Sequence, residues 1–118
     1  MTPAEIAEKI VKALDDKQAK DIKMLKTEKL TILADYFIIC TASSSTHIKT
    51  LTGEVDKVMS EAGEPPQRIE GYRTGGWVLL DFASVVVHLF LEEVREFYGL
   101  ERLWSDVEEI DVSGILAQ

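Results

Sequence analysis

The stretch Asp35-Tyr36-Phe37-Ile38-Ile39-Cys40-Thr41 sets the tightest limit on what this chain can fold into. A strand with one wet face alternates apolar and polar side chains, and this one is apolar at odd and even positions alike. It reads as a central strand covered on both sides, and a sheet clad on both faces by helices is α/β architecture. In 118 residues there is room for one such domain and no second core. At 46% hydrophobic and 29% charged residues, a disordered or fibrous chain is excluded. The single cysteine, Cys40, excludes an internal disulfide and a cysteine-built zinc site.

Around that strand the local signals place the other elements. Thr2-Pro3-Ala4-Glu5 has the spacing of a capping box with proline at the first helical position. Ile6, Ile10, Val11 and Leu14 then form one apolar face, closed by Asp15-Asp16-Lys17. Asp21 to Lys26 alternates Ile22 and Met24 with charges, as an edge strand does. After Ala42-Ser43-Ser44-Ser45-Thr46, a second helix carries Ile48, Leu51, Val55, Val58 and Met59, with Gly63 and Pro65-Pro66 stopping it. Gly71 to Gly76 is a loop. Trp77–Phe82 and Val85–Phe90 are strands joined by Ala83-Ser84, a hairpin by length. A short helix, Leu91 to Tyr98, ends at Gly99, and Leu100, Leu103 and Trp104 pack back as one apolar turn. The order α-β-β-α-β-β-α predicts a single α/β domain over residues 1–105, a mixed β-sheet of about five strands flanked by helices. An acidic C-terminal tail, 106–118, follows.

Thirteen basic and twenty-one acidic residues give a formal charge of −8. Nucleic-acid backbones are bound by cations that displace counterions, so direct sequence-specific nucleic-acid binding is not expected. A basic partner surface suits this charge, and so does a plain role in solubility. No apolar run approaches the ~20 residues of a membrane span, and Met1 to Glu5 has no basic region before an apolar one. The expectation is a soluble cytoplasmic protein with no membrane contact.

A two-residue turn fixes the hairpin register and sorts its side chains by face. Phe82 opposite Val85, Leu80 opposite Val87 and Val78 opposite Leu89 form a wholly apolar face, hence core. The second face pairs Asp81 with Val86, Leu79 with His88, and Trp77 with Phe90. Aromatics mixed with a carboxylate and an imidazole suit a partner-binding face, where tryptophan anchors and polar groups give orientation. The same residues could instead cover a sheet edge or pack under the C-terminal turn. Asp81 and His88 are diagonal neighbours, half of a hydrolytic arrangement, but a nucleophile or a third metal ligand would be needed. Ser43, Ser44 and Ser45 could cradle a phosphate at a helix start or simply cap it, and the glycine spacing and lysine of a P-loop are missing. His47, the other histidine, stands at that helix start.

Asp35–Thr41, Glu70-Gly71, Trp77–Phe82, Val85–Phe90 and the run Arg95-Glu96-Phe97-Tyr98-Gly99-Leu100-Glu101-Arg102-Leu103-Trp104 together resemble the ribosomal silencing factor, or Iojap, family. The resemblance runs from the first helix to Trp104. It implies a nucleotidyltransferase-like fold that has lost catalysis, and the sequence lacks the Gly-Ser motif followed by an Asp-x-Asp/Glu pair of active nucleotidyltransferases. It further implies binding to the large ribosomal subunit through a basic ribosomal protein, number fourteen. That binding would block subunit joining and repress translation under nutrient limitation. The expected partner-binding residues are Trp77, Leu79, Asp81, His88, Phe90 and Tyr98, with no catalytic residue, metal or cofactor, and a homodimer of the free protein is a further expectation. Where many members carry Gly-Asp in the hairpin turn, this chain has Ala83-Ser84. Where the loop after the central strand often reads Thr-Gly-Asn-Ser, it has Thr41-Ala42-Ser43-Ser44. The competing expectation is a small metal-dependent phosphoester or nucleotide enzyme using Asp81, His88 and the serine loop.

Overall fold

A computed structural model describes residues 1–27, 34–73, 76–98 and 107–117, with the side chains of 96–98 outside that set. Helix α1, Pro3–Asp16, starts with the expected capping box. Thr2 Oγ1 accepts from the Glu5 N–H at 3.1 Å, and Glu5 Oε1 accepts from the Thr2 N–H at 2.9 Å. It ends in a Schellman closure: the Gln18 N–H donates to Asp15 O at 2.9 Å and the Ala19 N–H to Leu14 O at 3.0 Å. Helix α2, Ser45–Glu61, closes in the same way around Gly63. The two closures differ in chemistry. Gly63 holds φ +81° at no steric cost, while Gln18 must hold φ +65° with a Cβ.

The described residues build a six-stranded sheet in the order β3-β4-β5-β2-β1-β6. The strands are β1 Lys20–Lys26, β2 Tyr36–Ala42, β3 Arg68–Glu70, β4 Trp77–Asp81, β5 Val85–Leu91 and β6 Glu108–Ile110. β2 lies in the interior as expected, parallel to β5 and antiparallel to β1, so the sheet is mixed. The hairpin register also matches, with Asp81 opposite Val86, Leu79 opposite His88 and Trp77 opposite Phe90.

Three expectations need correction. The sheet has six strands rather than about five, because β3 and β6 are three-residue edge strands too short to show a hydrophobic period. β1 is not an edge strand: β6 pairs with its Met24, Leu25 and Lys26. The stretch read as an acidic tail holds both β6 and helix α4, Val112–Leu116. Its Ile115 is buried in the main core, and Ile110, Val112 and Leu116 pack beside it. The acidic side chains of Glu108 and Glu109 face water and masked the apolar positions on either side of them.

The two faces of the sheet are clad unequally. Ile38, Cys40, Val78, Leu80, Val87 and Leu89 pack with Ile10, Leu14, Leu51 and Met59 in one core under α1 and α2. On the opposite face a smaller cluster of Leu25, Ile39 and Phe90 is joined by Phe37, Trp77, Val94 and Val107. Helix α3, Glu92–Tyr98, lies against β5 and β2 on this side. The central strand is therefore covered on both faces from Ile38 to Ala42, while Tyr36 and Phe37 stay half-buried. Among the described residues no helix is long and apolar enough to cross a membrane. The apolar turn expected at Leu100, Leu103 and Trp104 lies outside the described residues.

Candidate docking face on the sheet

Strand register puts Arg68 and Glu70 of β3, Asp81, Leu79 and Trp77 of β4, Val86, His88 and Phe90 of β5, and Phe37 and Ile39 of β2 on the α3 side. α3 follows β5 directly and folds back over the Phe90 end, which divides this face in two. At the covered end Phe90 is fully buried and His88 is 6% exposed. Trp77, Leu79, Asp81, Val86 and Phe37 are half-buried and form an open strip.

That division corrects two of the expected partner-binding residues. Phe90 and His88 are core, lying under Trp77 and Phe37 rather than presented to a partner. The Trp77 and Phe90 ring centroids stand 5.0 Å apart, and the His88 ring lies 5.3 Å from Phe37 and stacks at 6.1 Å on Phe90. The Trp77 indole N–H donates to His88 Nδ1 at 3.2 Å. An indole only donates, so Nδ1 carries the lone pair and the imidazole proton sits on Nε2. Burial among rings pushes the His88 pKa down from 6.5 to about 4, so the ring is neutral at physiological pH. Trp77 and Leu79 lie half-buried on the surface strip, and Tyr98 closes α3 with its side chain outside the described set.

Asp81 is engaged along the other edge of the strip. Its Oδ2 accepts from Arg68 Nε at 3.1 Å and its Oδ1 from the Ala83 N–H at 2.8 Å. Arg68 also pairs with Glu70 at 3.1 Å, giving a three-residue ion network on β3 and β4. Pairs this exposed contribute about 0–1 kcal/mol each, so the network orients charge more than it holds the fold. The hairpin turn that Asp81 caps is tight. The Ser84 N–H donates to Phe82 O at 2.9 Å around Ala83, whose φ is +67°. The Ser84 carbonyl in turn accepts from the Asp35 and Tyr36 N–H groups, docking the turn onto the start of β2.

This placement separates the residues of the expected enzyme. Asp81 is committed to Arg68 and the turn, and His88 Nδ1 to Trp77. In register Asp81 lies level with Phe37, while the serine loop follows Ala42 at the other end of β2. Six residues of strand span roughly 20 Å. Among the described residues no three His, Cys, Asp or Glu side chains are grouped to hold a metal.

The serine loop has structural duties of its own. Ser44 Oγ caps α2 by accepting from the His47 N–H at 3.0 Å. His47 Nδ1 accepts from the Ser43 N–H at 2.9 Å, so its Nε2 carries the proton and donates to Lys17 O at 2.7 Å. His47 thereby ties the start of α2 to the end of α1, beside an open cleft of about 620 Å³ lined by Lys17, Lys20, Ser43 and Thr50.

One residue that shapes the docking face was missed by inspection of the sequence, and another was read only as part of a loop and a motif. Arg68 sits in a strand too short to recognise, and its partner is visible only through pairing. Gly71 has φ +82°, and a Cβ there would run into the Trp77 carbonyl, so a glycine lets the chain after β3 come close to the backbone at the start of β4.

The family model described as "Ribosomal silencing factor during starvation" matches residues 1–118. This chain belongs to the ribosomal silencing factor family. The ribosomal silencing factor RsfS of Halalkalibacterium halodurans is 35% identical over 117 residues, covering 99% of this chain and 100% of that one. The RsfS of Bacillus subtilis is 38% identical over 100 residues, 85% of each chain. A crystal structure of a Chromobacterium violaceum protein superposes with a TM-score of 0.87 at 40% identity, covering 89% of this chain and 88% of that one. In this member of the family the described residues form a mixed α/β sheet with one face filled by two long helices and the other half open around Trp77.

Proposed function

We propose that this silencing factor docks through the open strip of its sheet onto a basic protein of the large ribosomal subunit, ribosomal protein number fourteen. Seated there in the cytoplasm, it keeps the small subunit from joining and represses translation when nutrients are short. It does so by occupancy, without catalysis. The observation that carries this reading is the strip itself: half-buried Trp77, Leu79, Val86 and Phe37, bordered by Asp81 and Glu70. A flat apolar patch with an aromatic anchor and a charged rim has the anatomy of a protein interface rather than of a concave small-molecule site. The excess of acidic over basic residues suits a basic partner.

The test is co-sedimentation with purified large subunits at physiological salt, followed by a subunit-joining assay with added small subunits. Saturable binding that lowers the yield of joined ribosomes supports the proposal. Absence of binding, or binding that leaves joining unchanged, overturns it.

A further inference from the structure

Three observations converge on Arg95. First, its Nη1 donates to Thr41 Oγ1 at 2.7 Å and to the Asp21 carbonyl at 2.9 Å, so α3 is tied across β2 to β1. Second, the Asp21 carbonyl lies in a break of the β1–β2 ladder. Lys20 pairs with Thr41 and Lys23 with Ile39, leaving one extra residue on β1, and Asp21 takes φ +50°. A bulge of this kind turns a backbone group out of the ladder and gives it to another partner. Third, the neighbouring Val94 packs toward β4: its Cγ2 lies 3.3 Å from where a Cβ on Gly76 would stand, immediately before Trp77. The Leu91 N–H also donates to Gly76 O at 3.0 Å.

These contacts lie along one row of the sheet. Trp77 pairs with Phe90, Phe90 with Thr41, and Thr41 with Lys20, from β4 through β5 and β2 to β1. Helix α3 packs over β5 and β2 of this row; from its middle Arg95 reaches across to β1, while the adjacent Val94 stands against Gly76, just before Trp77. We propose that Arg95 is a positioning residue for docking: by fastening α3 to Thr41 and the bulged Asp21, it holds Val94 against Gly76 and sets the orientation in which Trp77 meets the partner. The inference rests on the docking reading above. Arg95 itself need not touch the ribosome, because its Nη1 is engaged within the fold at the end of the row remote from Trp77.

The experiment measures two things for each variant: affinity for purified large subunits, and solvent exchange of the Trp77 indole N–H by NMR, assigned with Trp77→Phe. For Arg95→Met we expect affinity about tenfold lower, the scale of one charge-assisted hydrogen bond, and indole exchange faster by a similar factor. Arg95→Lys should recover part of both, since an ammonium can still reach one oxygen. In a Trp77→Ala background Arg95→Met should lower affinity no further, because the two act through one contact. Should Arg95→Met fail to fold, Thr41→Val removes one of the two acceptors and should move both readouts in the same direction. Unchanged indole exchange in the folded variants, or affinity losses that multiply in the double mutant, overturns the inference. If the unaltered protein does not bind large subunits, the docking reading fails by itself, and indole exchange still decides whether Arg95 sets Trp77.

Discussion

Acid should weaken this protein through one buried ring, and the size of the effect can be worked out. His88 is packed among Phe37, Trp77 and Phe90, and burial lowers its pKa from 6.5 to about 4. The unfolded chain therefore binds a proton that the folded one refuses over this range. Stability from keeping His88 neutral is complete above pH 6.5 and is lost as the pH falls toward 4. With these two values the loss reaches ~2 kcal/mol at pH 5 and ~3 kcal/mol at pH 4. Protonation would also aim an Nδ1–H at the Trp77 indole N–H, turning an acceptor into a second donor. The assay is urea unfolding of the wild type and of His88→Gln at half-unit steps from pH 7 to pH 4.5. Both proteins share every other ionisable group, so the difference in their pH slopes isolates His88. The wild type should lose stability faster than the variant below pH 6.5. Parallel slopes would refute the reasoning, since they would mean that His88 takes up its proton as readily in the fold as outside it.

Other perturbations probe separate parts of the structure. Trp77→Ala should weaken binding to large subunits by about 2–4 kcal/mol, measured by titration. It should also lower the melting temperature, because the indole packs on Phe90 and bonds His88. Gln18→Gly should raise stability by about 0.5–1 kcal/mol in urea titrations, whereas Gly63→Ala at the equivalent position of α2 should lower it by a similar amount. An unchanged pair would show that left-handed backbone strain is not what separates the two closures. Asp81→Lys should slow association with large subunits more than Glu8→Lys does on α1, and added salt should shrink the gap; stopped-flow on-rates at several ionic strengths measure both.

How much of this was legible beforehand depends on how far apart in the chain the deciding partners are. The capping box at Thr2 and Glu5, the stop at Gly63, and the hairpin register from Ala83-Ser84 are each governed by neighbours within a few residues. The interior place of Tyr36–Ala42 was readable for a related reason: its side chains admit no wet face, whatever covers them. The covering itself was decided elsewhere. His88 and Phe90 show the same alternation as Leu79 and Asp81, and they are core because Trp77 and Phe37 close over them and α3 turns back over one end of the sheet. β3 and β6 are strands by virtue of their partners, since three residues carry no period, and β6 makes an inner strand of part of β1. Arg95 reaches residues 54 and 74 positions away, which no local pattern encodes. A sequence states which side chains must leave water; which of them share a row, and which remain open to a partner, is settled when distant segments compete for the same face.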